Sequence, residues 1–314
     1  MIKGVLSLGE ALIDFIPIDH DNLHFQKSPG GAPANVAVGL ARLGAQSTFL
    51  GKVGDDVLGH YLKETLSSNG VHTNTMFLTT KARTGLTFVT IDENGERSFD
   101  FYIDPSADRF LQESEFDSSY LEGHNVLHFG SISMISEPAK TATKRAVEIA
   151  REREMIVSYD PNLRLGLWEN EETARETIVS MLDQTDVLKI SDEELTFITG
   201  EEELEEGMKE LQKYNIPLIF VTKGAEGSDV FYGDGKHIHV PTMKVETVDT
   251  TGAGDAFVSG LLYRLHEREE SIASITEEEA YDITRFASVS GALAASTKGA
   301  MTALPTYQQV QGEV

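Results

Sequence analysis

The sequence predicts an α/β fold in three layers: a mainly parallel β-sheet covered by helices on both faces, with a small β-sheet set apart from it. The first observation is a series of short apolar runs at residues 5–8, 126–130, 155–160, 186–190 and 216–222. Such continuously apolar runs fit strands buried on both faces. The second is the helical pattern between them, as over 138–154, where Ala139, Ala142, Ala146 and Ile149 share one face. Pro138 suits the first turn of that helix, where a missing N–H costs nothing. Alternating runs of this kind build parallel sheets that gather ligands at the carboxyl ends of their strands. The third observation is a break in the rhythm. Residues 84–91 and 97–103 read as strands joined by Asp92-Glu93-Asn94-Gly95-Glu96, whose Asn-Gly pair is a hairpin signal. Phe99, Phe101 and Ile103 alternate with Ser98, Asp100 and Tyr102, and with residues 12–18 they make the small sheet.

Composition narrows the partners. The 314 residues suit one large α/β domain with an appendage, and carry 51 acidic against 26 basic residues for a net charge of −25. Such a chain repels nucleic acid and anionic membrane surfaces, so an anionic ligand needs a local positive patch. The absence of cysteine excludes disulfides, thiolate catalysis and Cys-ligated zinc, and fits a cytoplasmic location. Glu10 and Asp14 interrupt residues 1–15, a poor signal peptide, and no apolar run approaches a membrane span. His237 and His239 share a strand face without a third ligand and read as surface residues.

The chemistry concentrates in a few segments. Asp249-Thr250-Thr251-Gly252-Ala253-Gly254-Asp255-Ala256-Phe257 is a Gly-Ala-Gly turn opening onto an apolar helical pattern. Its backbone N–H groups and the helix dipole can face an anion, with the Asp255 carboxylate placed to take a proton from an attacking hydroxyl. The plain alternative is dipole complementation by an acid in a first turn. Gly30-Gly31-Ala32-Pro33-Ala34-Asn35 precedes a helical pattern over 36–43 and offers close backbone approach or a hinge, with an amide suited to sugar hydroxyls. Asp14 ends an apolar strand, and Arg164 in Asp160-Pro161-Asn162-Leu163-Arg164 presents a donor fork or pairs with a nearby acid. Trp168 reads as packing. Ser191 and Glu194 have capping-box spacing after a strand, and Lys189 either meets phosphates or sits at the surface. Thr222-Lys223-Gly224-Ala225-Glu226-Gly227 is a turn after a strand, and the small residues of 280–297 fit tight helix packing.

Taken together, these segments resemble the two signatures of the ribokinase-like (PfkB) sugar kinases. The 249–257 string matches the second signature; 30–35, continued by Gly51-Lys52-Val53-Gly54-Asp55-Asp56 and Gly59, matches the first. The resemblance spans nearly the whole chain and implies a single ribokinase-like domain over 1–314, with a β lid from about 11–27 and 75–104. It implies that Asp255 is the base and that Gly252, Ala253 and Gly254 hold the transferring group. Gly30 and Gly31 become the lid hinge, and Asp14, Asn35 and Arg164 the sugar contacts, with Phe99 and Phe101 packing from the lid. Lys189, Ser191, Thr222, Gly224, Gly227 and Ser288 become nucleotide contacts, with Glu194 near hydrated Mg²⁺. The family usually has Asn where this chain has Ser191, which weakens that one assignment. Backbone carbonyls at Asp249, Thr251, Ala294, Thr297 and Gly299 match a monovalent-cation (K⁺) site of some members.

Within the family the resemblance is strongest to fructokinases of plants and bacteria, through residues 94–102, 105–108, 129–133 and 160–164. Ile103 is a departure: fructokinases often have Arg there, and related 2-keto-3-deoxygluconate kinases use that Arg for a substrate carboxylate, so its absence favours a neutral sugar over a sugar acid and removes a lid contact from that position. The expected activity is ATP- and Mg²⁺-dependent phosphorylation of D-fructose to fructose 6-phosphate. The rival expectations are a kinase for 2-keto-3-deoxygluconate, ribose or a nucleoside, and a non-catalytic sugar or nucleotide sensor. A homodimer through the lid is compatible with any of them.

Overall fold

The computed structural model describes residues 3–19, 21–91, 97–233 and 235–314. Its strands are β1 (Gly4–Leu8), β2 (Leu12–Pro17), β3 (Phe25–Gly30), β4 (Ser47–Gly54), β5 (Met76–Thr79), β6 (Gly85–Ile91), β7 (Arg97–Phe101), β8 (His124–Phe129), β9 (Ile156–Tyr159), β10 (Val187–Ser191), β11 (Leu218–Thr222), β12 (Ser228–Tyr232) and β13 (Lys236–Val240). Its α-helices are α1 (Ala32–Leu43), α2 (Val57–Ser68), α3 (Ala139–Glu152), α4 (Glu171–Val179), α5 (Asp192–Thr199), α6 (Leu204–Leu211), α7 (Ala253–Leu265), α8 (Glu277–Ala295) and α9 (Tyr307–Gln311).

Nine strands form the main sheet in the order β13-β12-β11-β10-β9-β8-β1-β4-β5. From β11 to β5 every pairing is parallel; β12 and β13 add an antiparallel edge. Side chains alternate across this sheet, as a period of two requires. Leu6, Leu8, Leu127 and Phe129 face α3 to α6 in one apolar layer. Val5, Val126 and Val187 face α1, α7 and α8 in the other. A four-stranded sheet of order β3-β2-β6-β7 stands apart, antiparallel except where β2 and β6 run parallel.

The three-layer architecture and the separate small sheet are as expected; several boundaries are not. β5 pairs with β4 in the main sheet, so the second insertion contributes to the small sheet only from Gly85, not from 75. β3 extends the first contribution to Gly30, beyond 27. Its Phe-Gln-Lys-Ser-Pro-Gly sequence has neither alternation nor β-branched residues, and Pro is tolerated because β3 is an edge strand. Asp14 lies inside β2, opposite Ser28 and Thr87, rather than at a strand end. β7 stops at Phe101, and Pro138 caps α3 from the position before its first turn. The long C-terminal helix runs over Glu277–Ala295, opened by a Thr276–Glu279 capping box that moves its start ahead of 280. Asn94 and Gly95 lie outside the described residues; the strands on either side pair as a hairpin does.

One side chain fastens the small sheet to the main body. Asp56, the N-cap of α2, accepts from Leu58 N–H at 3.1 Å and Gly59 N–H at 2.9 Å. It also accepts from Thr84 N–H at 3.0 Å and the Thr84 hydroxyl at 2.8 Å, just before β6 begins. These four bonds oppose its partial burial and leave its carboxyl below the usual range. Asp56→Ala should destabilise the fold by about 2 kcal/mol, read by denaturant unfolding at neutral pH. An unchanged midpoint would remove this fastening from the account.

Candidate active site

Two helices begin with glycine and point their first turns at one place. Gly252 caps α7 with φ 79° and ψ 0°, a left-handed conformation. A Cβ there would come within 3.0 Å of the Ala300 Cα, so backbone and neighbour both demand glycine. Gly31 caps α1 with φ 101° and offers no side-chain acceptor. Between the two helix starts, Asn35 Nδ2 donates to Asp255 Oδ2 at 2.8 Å, and both residues are buried. Asn35 was expected to hold substrate; the structure ties its amide to the carboxylate and leaves its Oδ1 without a hydrogen-bond partner.

The expected trio of amides is narrowed. Ala253 N–H donates to the Thr250 carbonyl at 3.1 Å, closing the turn, whereas Gly252 and Gly254 N–H find no acceptor among the described residues. Lys189 adds the positive charge. Its ammonium lies 3.5 Å from where a Cβ of Gly254 would stand, and 3.2 Å from Asp160 Oδ2. Burial works against that ammonium, but Asp160 and Glu194 outweigh it and hold the lysine charged. This is the local positive patch that a strongly acidic chain needs.

Two cavities meet here. One, of about 340 Å³, is lined by Asp14, Asn35, Arg164, Lys189 and Asp255, with Phe99 and Phe101 reaching in from β7. Another, of about 630 Å³, is lined by Thr222, Gly224, Gly227 and Ser288 with the apolar Phe257 and Ala292. Thr250 and Gly254 belong to the walls of both. Lys189, expected among the nucleotide contacts, lines the first cavity and reaches the junction from there.

Gly30 acts one step removed. It is absent from the cavity wall, but a Cβ on it would sit 2.2 Å from Asp14 Oδ2. The missing side chain is the space in which the Asp14 carboxylate lies. Burial pushes Asp14 up to about 7, helped by the charge on Asp255 and opposed by Thr87 and Arg164. Burial likewise pushes Asp255 up to about 6; Asn35, Lys189 and Arg164 oppose it and Asp160 adds to it. Both carboxylates are thus raised by burial, each against a different set of partners.

Ser191 and Glu194 form the capping box at the start of α5, as their spacing predicts. Glu194 Oε1 accepts from Leu163 N–H at 2.7 Å and Oε2 from Ser191 N–H at 2.9 Å, so the carboxylate is fixed in place. Asp249 is buried and joins two loops: Oδ1 accepts from Thr251 N–H at 2.9 Å and Oδ2 from Gly299 N–H at 3.1 Å. Ala294 belongs to the last turn of α8, where its carbonyl accepts from Thr297 N–H at 3.1 Å. Trp168 is buried, as a packing residue should be. His237 and His239 stand half-exposed against the buried Asp229, at 2.7 Å and 3.3 Å.

Glu10, Thr87, Asp160 and Thr250 also line the junction or the smaller cavity and had no assigned role. Asp160 directly follows β9 and Glu10 follows β1 after Gly9, at the strand ends where sheets of this kind place ligands; that positional signal is present in the sequence. Thr87 carried none.

The sequence profile of the pfkB family carbohydrate kinases matches residues 3–307. Fructokinase-1 of Zea mays is 43% identical over 312 residues, covering 98% of this chain and 96% of that one. A fructokinase double mutant from Vibrio cholerae O395, solved with fructose, ADP and potassium ion bound, superposes with a TM-score of 0.92 at 40% identity, over 99% of this chain and 98% of that one. Aminoimidazole riboside kinase from Salmonella enterica, complexed with aminoimidazole riboside and an ATP analogue, gives 0.84 at 29% identity, over 99% of each chain. With both signatures gathered at one junction and a family match across nearly its full length, this chain belongs to the pfkB family of carbohydrate kinases.

Proposed function

We propose that this protein transfers the γ-phosphoryl group of ATP to the 6-hydroxyl of D-fructose, giving fructose 6-phosphate and ADP. The observation that carries this reading is the junction of the two cavities at the start of α7, with the buried Asp255 carboxylate on the smaller side. ATP occupies the larger cavity, along Thr222, Gly224 and Gly227, with Ser288 and the apolar wall around its base. Its γ-phosphate then meets Gly252 and Gly254 N–H and the Lys189 ammonium. The sugar occupies the smaller cavity, with Asp14 and Arg164 on its hydroxyls. Phe99 and Phe101 cover its carbon face from the small sheet, which acts as a lid that keeps water from the phosphoryl group. Asp255 takes the proton of the attacking hydroxyl. In a loose transition state its orienting effect contributes as much as its basicity.

The chemistry of the smaller cavity selects a neutral sugar. Four acidic side chains, Glu10, Asp14, Asp160 and Asp255, line it, and of the two cations Lys189 is already paired with Asp160 while Arg164 faces Asp14 and Asp255. Among the described lining residues no cation is left over for the carboxylate of a sugar acid. The likeness to a riboside kinase favours a pentoside as the second reading.

The fixed Glu194 carboxylate keeps lone pairs for the water shell of Mg²⁺, and a single carboxylate suits that ion. When bound to the nucleotide, Mg²⁺ neutralises phosphate charge. Asp249 joins its own turn to the loop after α8, and carbonyls at Asp249, Thr251, Thr297 and Gly299, with Ala294 at the end of α8, would hold K⁺. The partly buried aromatic residues Phe15, Phe25 and Phe88, whose rings meet on the small sheet with Tyr102 exposed beside them, fit a homodimer through the lid. A cytoplasmic home fits the small soluble substrates of this reading.

Assays of fructose, ribose, 2-keto-3-deoxygluconate and ribosides with ATP and Mg²⁺ test the substrate; fructose should give the highest kcat/KM, and a higher value for any other compound overturns the assignment. Asp255→Asn should keep sugar binding while lowering kcat by roughly two to four orders of magnitude. Because Asp255 works ionised and burial raises it to about 6, and Asp14 on the sugar is raised to about 7, kcat/KM should rise with pH across about 6 to 7 before levelling. An acid limb centred near 4 would show an unperturbed carboxyl instead. Gly30→Ala should raise KM for the sugar about tenfold or more while sparing KM for ATP, since the groups displaced, the Asp14 carboxylate and a Leu12 methyl, belong to residues of the smaller cavity.

A further inference from the structure

Glu10 is a buried acid that the transfer chemistry does not use. It stands between β1 and β2, is 3% exposed, and lines the smaller cavity. Its Oε1 accepts from Ala32 N–H at 3.1 Å, and Ala32 is the first residue of α1. That helix lacks every local means of satisfying its first amides. Its N-cap is Gly31, without a side chain, and its first turn has no acidic residue. The acceptor is therefore supplied from 22 positions earlier in the chain. Gly31 makes the approach possible, because a Cβ there would lie 2.5 Å from the Glu10 carbonyl oxygen. Three residues after Ala32, Asn35 closes the first turn through its N–H to the Gly31 carbonyl at 2.8 Å and donates its side chain to Asp255.

We infer that Glu10 is a positioning residue for phosphoryl transfer: by capping α1 from outside the helix it fixes Asn35, and through Asn35 the orientation of the Asp255 carboxylate. Among the described residues its second oxygen, Oε2, has no hydrogen-bond partner; apart from Glu10's own backbone, the Ala32 amide is the donor that holds the carboxyl group. Burial pushes Glu10 up to about 8, with the charges of Asp108 and Asp255 adding to the rise. At neutral pH it is thus an uncharged acceptor. A carboxylate cap at this place would add a negative charge to a cavity that already holds Asp255; a neutral acid holds the amide without that repulsion.

The inference rests on Asp255 as the base, and the test separates the two. Glu10→Ala should lower kcat about ten- to a hundredfold with KM for ATP unchanged. Glu10→Gln, which keeps a neutral acceptor, should recover most of that loss. In a double-mutant cycle with Asn35→Ala the losses should fall well short of additive, because both act on one carboxylate. Additive losses, or a folded Gln variant as impaired as the Ala variant, overturn the inference. A crystal structure of Glu10→Ala decides independently of any assay: Asn35 should move away from Asp255, and an intact 2.8 Å contact contradicts the proposal. A wild-type protein that phosphorylates no sugar would sink the kinase reading alone, leaving this structural outcome to decide the positioning.

Discussion

The site depends on one hydrogen bond, between Asn35 and Asp255, that holds two helix starts against each other. α1 and α7 come from opposite ends of the chain, 220 residues apart at this contact. Each begins at a glycine with positive φ, so neither start carries a capping side chain that would fill the space between them. What remains exposed to that space is backbone N–H and the positive ends of two dipoles. A carboxylate placed there has to be pinned, or it would fold back to cap its own helix. Asn35 pins it, and thereby separates the place for an anion from the place for an alcohol.

The electrostatic cost of this arrangement is appreciable and local. Raising Asp255 from 3.8 to about 6 corresponds to roughly 3 kcal/mol of destabilisation once the carboxylate is ionised in both folded and unfolded states. Its folded form binds the proton more tightly, so this contribution to stability declines as pH rises from about 4 through about 6. Hydrogen bonding to Asn35 and the charges of Lys189 and Arg164 limit the penalty without removing it. Lys189 is the counterpart: a buried ammonium kept charged by Asp160 and Glu194. On a chain of net charge −25 the site is a small, internally balanced region, not an extension of the surface.

Much of this was legible in the sequence, for identifiable reasons. Apolar strand runs, helical periodicity and the alternation of 97–103 gave both sheets, because burial on two faces and on one face leave different patterns. β3 was invisible because an edge strand of polar residues, Pro and Gly has no such pattern. The capping box at Ser191 and Glu194 was legible because its chemistry is local. The contacts that organise the site are not local. Asn35 to Asp255, Glu10 to Ala32 and Lys189 to Asp160 each join residues at least 22 apart, and burial of their acids is a property of the fold. Gly30 shows the same limit: its spacing marked it as functional, but its reason, the volume of the Asp14 carboxylate, needed coordinates.

The central claim is geometric: Gly252 and Gly254 N–H converge on the transferring phosphoryl group while Asp255 faces the acceptor hydroxyl. A crystal structure of the protein with fructose, ADP, Mg²⁺ and aluminium fluoride tests it most directly. The account predicts the fluoride complex against those two amides and Lys189, with the fructose 6-hydroxyl within hydrogen-bonding distance of an Asp255 oxygen. A sugar bound with its 6-hydroxyl turned away from Asp255, or a phosphoryl mimic held without those amides, would contradict it.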